Sequence, residues 1–147
     1  MADSLRFEVD DRGVATMTLN RPEVRNAFDH DLIEQLGARL MEVREREEIR
    51  ALVITGAGDC FSAGADVNWM RSMVDAGEEN NLEDALGLAD LMGALHDMGK
   101  PTVARVNGHA FGGGVGLVAC CDIAIASSDA KFSLSEVRLG LIPAVIS

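Results

Sequence analysis

The 147-residue sequence predicts an α/β fold built from repeated β–β–α units. Two short apolar runs, ALVITG (51–56) and PTVARVNG (101–108), are typical of strands that are buried on both faces. Each run leads through a glycine-bearing loop to small residues at the start of a predicted helix. The segments LVITGAGDCFSAGADVNWM and TVARVNGHAFGGGVGLVAC therefore share a layout, and this weak internal similarity predicts the repeated unit.

The N-terminal part predicts a hairpin followed by a long helix. LRFEV and VATMTLN alternate around DDRG, so we expect two antiparallel strands with Gly13 in the turn between them. RPEVRNAF is a predicted loop. A helix should then run from Asp29, its N-cap, to about Glu48, because apolar residues recur there at helical spacing. These residues are Leu32, Ile33, Leu36, Leu40 and Val43.

The remaining elements alternate between helices and strands. VNWMRSM predicts a short helix, and VDAGEENN predicts an exposed, mobile connection. Residues 82–98 predict a second long helix, and GGGVGLVACC a helix that begins with glycines. DIAIASS and KFSLSEV predict the last two strands.

Composition and charge restrict the class of protein. With 48% hydrophobic and 25% charged residues the chain should form one globular domain, and no apolar run approaches the ~20 residues of a membrane helix. The N-terminal MADSLRFEVD has neither a basic lead nor an apolar core, so we expect no secretory signal. The net charge of −11 disfavours nucleic acid and anionic membranes as partners, because both would be repelled.

Cysteine and histidine spacing predicts neither disulfides nor a metal site. Cys60, Cys120 and Cys121 form no C-x-x-C motif, and the histidines have no H-x-x-H or H-x-x-x-H spacing. We therefore expect the cysteines to pack as small apolar residues in a reducing compartment, which predicts a cytoplasmic protein.

Two loops carry the strongest signal for a site. FSAGAD (61–66) and FGGG (111–114) leave backbone N–H groups uncovered near helix N-termini, where the helix dipole favours negative charge. Two such amides that converge on one point would form an oxyanion hole. A turn that needs glycine, with Asp66 as N-cap, also explains the first loop. A phosphate cradle is disfavoured, because Phe61 replaces the third glycine of G-x-G-x-x-G and no G-x-x-x-x-G-K-[ST] is present.

Five linked motifs give the sequence a family resemblance. LNRPEVRNAF, FSAGAD, KPTVARVNGHAFGGGVGL, CDIAIAS and FSLSEVRLGLIP occur in the order and spacing of the enoyl-CoA hydratase/isomerase (crotonase) family, from about residue 5 to the end. Within the family the chain most resembles the bacterial methylglutaconyl-CoA hydratase group. The resemblance implies a crotonase (ClpP-like) fold, with residues 1–147 as its N-terminal core. This core is truncated before the last repeat and the C-terminal helices that cover the site and build trimers, so its exposed sheet edge and apolar helix faces should invite association.

The resemblance also implies an acyl-CoA site. The family holds a thioester carbonyl between two backbone N–H groups, here those of Ala65 and Gly113, and so stabilises an enolate. Arg25 matches a CoA-contacting loop, where it would meet a phosphate, although a solvated loop charge explains it as well. Coenzyme A would enter as part of the substrate, with no permanently bound cofactor, and a full-length relative should be a homotrimer or hexamer. Further CoA-binding positions carried over from the family are Ala27, Ala63, Asp66, Val67 and Asn68.

One departure leaves the reaction open. Family hydratases commonly use two glutamates; Glu136 matches the second, whereas the position of the first is Gly116. Three functions follow: a hydratase of a branched or carboxylated 2-enoyl-CoA such as 3-methylglutaconyl-CoA, an enoyl-CoA delta-isomerase that needs one carboxylate, or a non-catalytic acyl-CoA-binding or structural fragment. Glu136 could also be an ordinary strand-end acid. His109 is a less favoured proton carrier, since loop histidines more often serve packing.

Overall fold

A computed structural model describes residues 3–144 and 146, without the side chain of residue 139. Within this part, eight strands and four α-helices follow one another along the chain. The strands are β1 (Leu5–Val9), β2 (Val14–Leu19), β3 (Ala51–Gly56), β4 (Cys60–Ser62), β5 (Thr102–Val106), β6 (His109–Phe111), β7 (Ile123–Ala126) and β8 (Phe132–Ser133). The helices are α1 (His30–Glu45), α2 (Val67–Val74), α3 (Glu78–His96) and α4 (Gly113–Cys120), with 3₁₀ turns at Pro22–Val24 and Ser135–Leu139.

The strands form two sheets that place the loops of the site side by side. The larger sheet has the order β1-β2-β3-β5-β7, and the smaller one the order β4-β6-β8. β1 pairs antiparallel with β2, and all other pairings are parallel. The structure thus confirms the predicted hairpin and the repeated unit, since β3, β4 and α2 are followed by β5, β6 and α4.

Helix α1 and the larger sheet enclose the core. Asp29 is the N-cap of α1, as predicted, because its Oδ1 accepts a hydrogen bond of 3.0 Å from the Leu32 N–H. The predicted apolar face of α1 is buried. It belongs to one cluster with buried sheet residues such as Met17, Leu52 and Ile54. Each large side chain of this kind stabilises the fold by about 1.5–3 kcal/mol.

Two predicted helix boundaries were wrong. VDAGEENN is not a connection throughout, because α3 begins at Glu78, four residues before the predicted start. Gly77 turns the chain with φ of +83°, and the acidic residues Glu78 and Glu79 lie in the first turn, where they favour the helix dipole. Helix α1 ends at Glu45 rather than near Glu48.

The short strands of the smaller sheet were also missed. β4 and β6 have three residues each and were interpreted as loops, since so short a strand has no periodicity to read. The predicted strand KFSLSEV is wrong beyond Phe132–Ser133, because Ser135–Leu139 forms a 3₁₀ turn. Glu136 therefore lies in a helical turn and not at the end of a strand.

The edge of the larger sheet that β7 forms is apolar and exposed. All four residues of β7 are exposed, and the side chains of Ile123 and Ile125 reach 52% and 62% exposure. Further exposed apolar residues lie beyond β7, among them Phe132, Val137 and Ile142.

None of the described helices combines the length and apolar character needed to cross a bilayer.

A reciprocal pair of side-chain contacts fixes the start of β7. Asp122 Oδ2 accepts hydrogen bonds from the Thr102 N–H at 2.8 Å and from Thr102 Oγ1 at 2.9 Å, and the Asp122 N–H donates to Thr102 Oγ1 at 2.9 Å. The Thr102 backbone N–H, with its hydroxyl, holds the pKa of Asp122 below its usual 3.8. The ionised carboxylate therefore attaches β7 to β5.

We expect Asp122→Asn to increase hydrogen exchange at the amides of Ile123–Ala126, because the amide is a weaker acceptor than the carboxylate. Since the pKa of Asp122 is lowered by folding, its stabilising contribution is complete above pH 3.8 and is lost as the pH falls below that value. The control is Asp90→Asn, at an exposed position of α3. Equal exchange in β7 for both variants would contradict the anchoring role.

Candidate active site

Two glycine-bearing loops, one after β4 and one after β6, approach each other more closely than side chains allow. Gly64 has φ of +85°, and a Cβ atom placed on it would lie 2.9 Å from the Phe111 carbonyl oxygen and 3.4 Å from the Gly113 nitrogen. A Cβ atom on Gly114 would lie 2.9 Å from the Ser62 carbonyl oxygen. Only glycine at these positions lets the chain before α2 lie this close to the start of α4.

The loop before α2 leaves one backbone amide bare. The Phe28 N–H donates to the Gly64 carbonyl at 2.7 Å, and the Asp66 N–H donates to the Phe28 carbonyl at 2.7 Å. This parallel bridge turns the N–H of Ala65, which lies between the two bonds, to the other side of the loop. There it has no acceptor among the residues that the structure describes.

The first residue of α4 supplies a second bare amide. Gly113 follows Gly112, the N-cap, whose own N–H donates to the Ser133 carbonyl at 2.9 Å. A helix cannot satisfy the N–H of its first residue, and no described residue outside α4 accepts a hydrogen bond from Gly113. Both Ala65 and Gly113 line one cavity of about 400 Å³.

Glu136 faces the same cavity with an unpaired carboxylate. A Cβ atom on Gly112, which has φ of +50°, would lie 3.0 Å from Glu136 Oε1. Glu136 Oε2 is buried and has no hydrogen-bond partner among the described residues. Burial of an unpaired carboxylate oxygen is costly, and such a group can exchange a proton with a ligand beside it. The structure therefore brings Ala65, Gly113 and Glu136 together at one cavity, and the catalytic role that the resemblance implies for them stays a prediction.

Among the described residues that line this cavity, no second carboxylate replaces the glutamate missing at Gly116. A Cβ atom on this buried glycine would lie 2.5 Å from Ile146 Cγ2 and 3.0 Å from Met92 Cε. Met92 Cε is the end of a flexible side chain, whereas Ile146 Cγ2 belongs to a stiff, branched side chain whose Cβ atom would lie 3.2 Å away. A larger residue would have to displace both side chains. In this chain the position packs α4 against α3.

The residues expected to bind CoA divide into two groups. Ala63 and Val67 line the cavity, whereas Arg25, Ala27, Asp66 and Asn68 do not. Arg25 is exposed on the neighbouring loop, and its carbonyl accepts a hydrogen bond of 2.9 Å from the Ala63 N–H. Contact of these residues with CoA stays a prediction.

Asp66 has a structural partner for each carboxylate oxygen. Its Oδ1 accepts a hydrogen bond of 2.8 Å from the Asn68 N–H, which confirms the predicted N-cap of α2. Its Oδ2 lies 3.2 Å from Arg21 Nη2. Only 7% of Asp66 is exposed, so its carboxylate is buried beneath the loop of Ala65 and stabilises that loop through these two contacts.

Arg21 and Phe28 surround the site, and sequence reasoning missed both. Arg21 donates from Nη1 to the Ala27 carbonyl at 2.6 Å and pairs with Asp29 and Asp66. Phe28 is buried and lines the cavity; its ring lies 2.8 Å from where a Cβ atom on Gly113 would be. The only signal for Arg21 was its place in LNRPEVRNAF, at the end of a predicted strand.

His109 does not line the cavity and has a local hydrogen bond. Its Nδ1 accepts from the Lys131 N–H at 3.2 Å, and its ring packs near that of Phe111. This contact agrees with the packing role expected from the sequence.

Burial raises the pKa of the Cys121 thiol to about 12, so this thiol is protonated at neutral pH.

A second, almost wholly apolar cavity of about 430 Å³ lies between α2 and α3. It shares Ala65, Met70, Leu88 and Leu141 with the first cavity, so the two adjoin. Its polar residues are Asn81 and Asp84, which carry no positive charge. Asn81 Oδ1 is buried without a partner among the described residues.

The repeated β–β–α units and the cavity define a class: an α/β protein that presents two bare amides and one carboxylate to a ligand. Such an arrangement can stabilise a negatively charged oxygen and transfer a proton beside it. The sequence model of the enoyl-CoA hydratase/isomerase family matches residues 10–147. The chain belongs to this family.

Individual relatives agree with this assignment. A crystal structure of an enoyl-CoA hydratase from Shewanella pealeana superposes with a TM-score of 0.94 and 47% identity, over 98% of this chain and 54% of that one. An enoyl-CoA hydratase of Alternaria alternata is 40% identical over 92% of this chain and 43% of its own length. The short-chain-enoyl-CoA hydratase of Clostridium acetobutylicum is 38% identical, over 88% and 49%. The chain thus spans about half the length of these relatives.

Two helical glycines provide a matched test of the close loop contact. We expect Gly114→Ala to destabilise the protein by about 1–3 kcal/mol, because its Cβ atom would strike the Ser62 backbone. Gly93→Ala, which has nothing within 4 Å, should stabilise α3 by up to about 1 kcal/mol. Thermal unfolding of both variants measures the difference, and a neutral Gly114→Ala would show that the loops are free to separate.

Proposed function

We propose that this chain forms the acyl-CoA site of an enoyl-CoA hydratase, which adds water to a 2-enoyl-CoA. The observation that carries the proposal is the presence of the Ala65 and Gly113 amides and the unpaired Glu136 carboxylate in one cavity. Membership of the enoyl-CoA hydratase/isomerase family supports the class of reaction. Residues 1–147 would act as one unit, the N-terminal core of the enzyme.

In the proposed mechanism the thioester carbonyl oxygen accepts hydrogen bonds from the Ala65 and Gly113 N–H groups. Water bonds through its oxygen to C3 of the enoyl group, and the π electrons move onto the carbonyl oxygen as an enolate. The two amides, together with the dipole of α4, stabilise this charge. Glu136 accepts the proton of the water and returns it to C2, so that one carboxylate performs both transfers.

The CoA part would extend from the two amides along the segment 63–68. Ala63 and Val67 lie on the cavity wall, next to Asp66 and Asn68 at the start of α2. Arg25 is exposed on the adjoining loop with Ala27, where its guanidinium is available to a phosphate. Assembly into a homotrimer or hexamer is part of the proposal, and the exposed apolar edge of β7 supports it.

The proposed acyl group is branched or carboxylated, as in 3-methylglutaconyl-CoA. Among the described residues, Arg138 is the single cation that lines either cavity, so a carboxylate would pair with it. The second cavity suits an apolar branch, because its walls are apolar and Asp84 would repel a carboxylate there.

An enoyl-CoA delta-isomerase is the second candidate. It is favoured by the single carboxylate, because one base can remove a proton from C2 of a 3-enoyl-CoA and return it at C4. Packing of Met92 and Ile146 at Gly116 supports the absence of a second acid.

Product analysis separates the candidates. The protein of the complete reading frame would be incubated with 3-methylglutaconyl-CoA, with crotonyl-CoA and with a 3-enoyl-CoA. Water addition supports the hydratase, and double-bond migration without hydration supports the isomerase. Binding without turnover would contradict both and leave an acyl-CoA-binding protein.

We expect Glu136→Gln to reduce turnover by about two orders of magnitude, which corresponds to ~3 kcal/mol, while acyl-CoA affinity stays nearly unchanged. Glutamine retains the size of the side chain but cannot transfer the proton. Glu83→Gln, at an exposed position of α3, is the control and should leave turnover unchanged. Near-native turnover of Glu136→Gln in steady-state assays would rule out Glu136 as the proton carrier.

The double variant Gly116→Glu, Met92→Ala tests whether hydration is limited by the missing acid. Met92→Ala removes one of the two side chains that a Cβ atom at Gly116 would meet, the other being that of Ile146, and Met92→Ala alone is the control. If hydration benefits from two carboxylates, the ratio of water addition to isomerisation should rise in the double variant only. An unchanged ratio in a folded double variant would mean that Glu136 alone suffices.

A further inference from the structure

Arg21 contacts three acceptors that belong to two separate segments of the chain. Its Nη1 donates to the Ala27 carbonyl at 2.6 Å, and its Nη2 lies 2.8 Å from Asp29 Oδ2 and 3.2 Å from Asp66 Oδ2. The Arg21 side chain is 17% exposed and lines neither cavity. Whatever Arg21 does at the site, it therefore does through these three partners.

The two carboxylates require this cation. Asp29 and Asp66 are the N-caps of α1 and α2, and their side chains are largely shielded from solvent. Both bond to the same Arg21 nitrogen, so their charges lie close together. Without the guanidinium they would repel each other in a place that water reaches poorly. One arginine thus holds the beginnings of two helices together.

The three partners of Arg21 lie next to the parallel bridge between Phe28 and Ala65, which leaves the Ala65 N–H without an acceptor among the described residues. Ala27 and Asp29 are the residues directly before and after Phe28, and Asp66 directly follows Ala65. Phe28 and the loop exchange two hydrogen bonds of 2.7 Å, which set the direction of the Ala65 N–H. Phe28 also supports Gly113 through its ring. Arg21 therefore binds residues on both strands of this bridge, beside Phe28 and beside Ala65. The positions of both amides depend on Phe28.

We propose that Arg21 is a positioning residue, which aims the Ala65 N–H at the oxygen bound between it and Gly113. The inference rests on the proposed function. Catalysis by fixed hydrogen-bond donors is sensitive to small displacements, so loss of Arg21 should affect the transition state more than substrate capture. Lysine preserves the charge but not the planar fork that reaches three acceptors, so charge and geometry can be separated.

The test compares Arg21→Met and Arg21→Lys in the protein of the complete reading frame. Arg44→Met is the control, because Arg44 also links two elements through backbone carbonyls, those of Ala94 and Asp97, and these residues line neither cavity. Thermal unfolding, kcat and KM are measured for each variant. A direct readout is the absorption of a bound aryl-acryloyl-CoA, whose band moves to the red when its thioester carbonyl is polarised.

We expect Arg21→Met to lower kcat by about tenfold to a hundredfold, with KM changed less than about threefold. The red shift of the bound probe should become smaller. Arg21→Lys should recover thermal stability but not the red shift, and Arg44→Met should lose stability and keep the shift. If Arg21→Met does not fold, the same measurements are made on Arg21→Lys and Asp66→Asn.

Two outcomes would overturn the inference, and they are distinguishable. A full red shift and unchanged kcat in the folded Arg21 variants would show that Arg21 only stabilises the fold. A probe that binds the unaltered protein without any red shift would instead contradict the pair of amides itself, and with it the proposed function.

Discussion

The close approach of the two glycine-bearing loops is the constraint on which the site depends. Gly64 lies against the backbone of Phe111 and Gly113, and Gly114 lies against Ser62. A single Cβ atom at either glycine would separate the loops. The parallel pairing of β4 with β6 carries the loops to the same end of the smaller sheet, and the missing side chains then set the spacing of the Ala65 and Gly113 amides.

Polar groups at the base of the two loops have hydrogen-bond or ion-pair partners, whereas those of the site that face the cavity have none in the described part of the chain. At the base of the loops, Asp29 and Asp66 share one guanidinium and cap their helices. In the cavity, two donors and one carboxylate oxygen are left without partners among the described residues, although buried polar groups are normally paired. A thioester that becomes an enolate would satisfy the donors, and a transferable proton would satisfy Glu136. This complementarity fits the family to which the chain belongs.

Sequence patterns were sufficient to predict the elements that have a regular spacing of apolar residues or a recognisable helix cap. The hairpin around Gly13, the apolar face of α1 and its Asp29 cap follow from alternation, helical spacing and side-chain chemistry. The strands β4 and β6 were missed, because three residues contain no period. For the site, small residues indicated the two loops, and the family resemblance indicated Ala65, Gly113 and Glu136. Neither could show that Arg21 reaches Asp66, 45 positions away, because that contact exists only in three dimensions.

The topology also determines when such a site can exist during folding. The β1–β2 hairpin is the single antiparallel pairing among the described strands, and it can form from a contiguous stretch of chain. Every other pairing is parallel and closes only after a long crossover, so its loop entropy is lost before the contact stabilises the chain. Ala65 lies in the connection from β3 to β5, Gly113 in the connection from β5 to β7, and Glu136 follows β8. They can meet only in the nearly complete native state, and a partly folded chain with an intact hairpin has no site to offer a substrate.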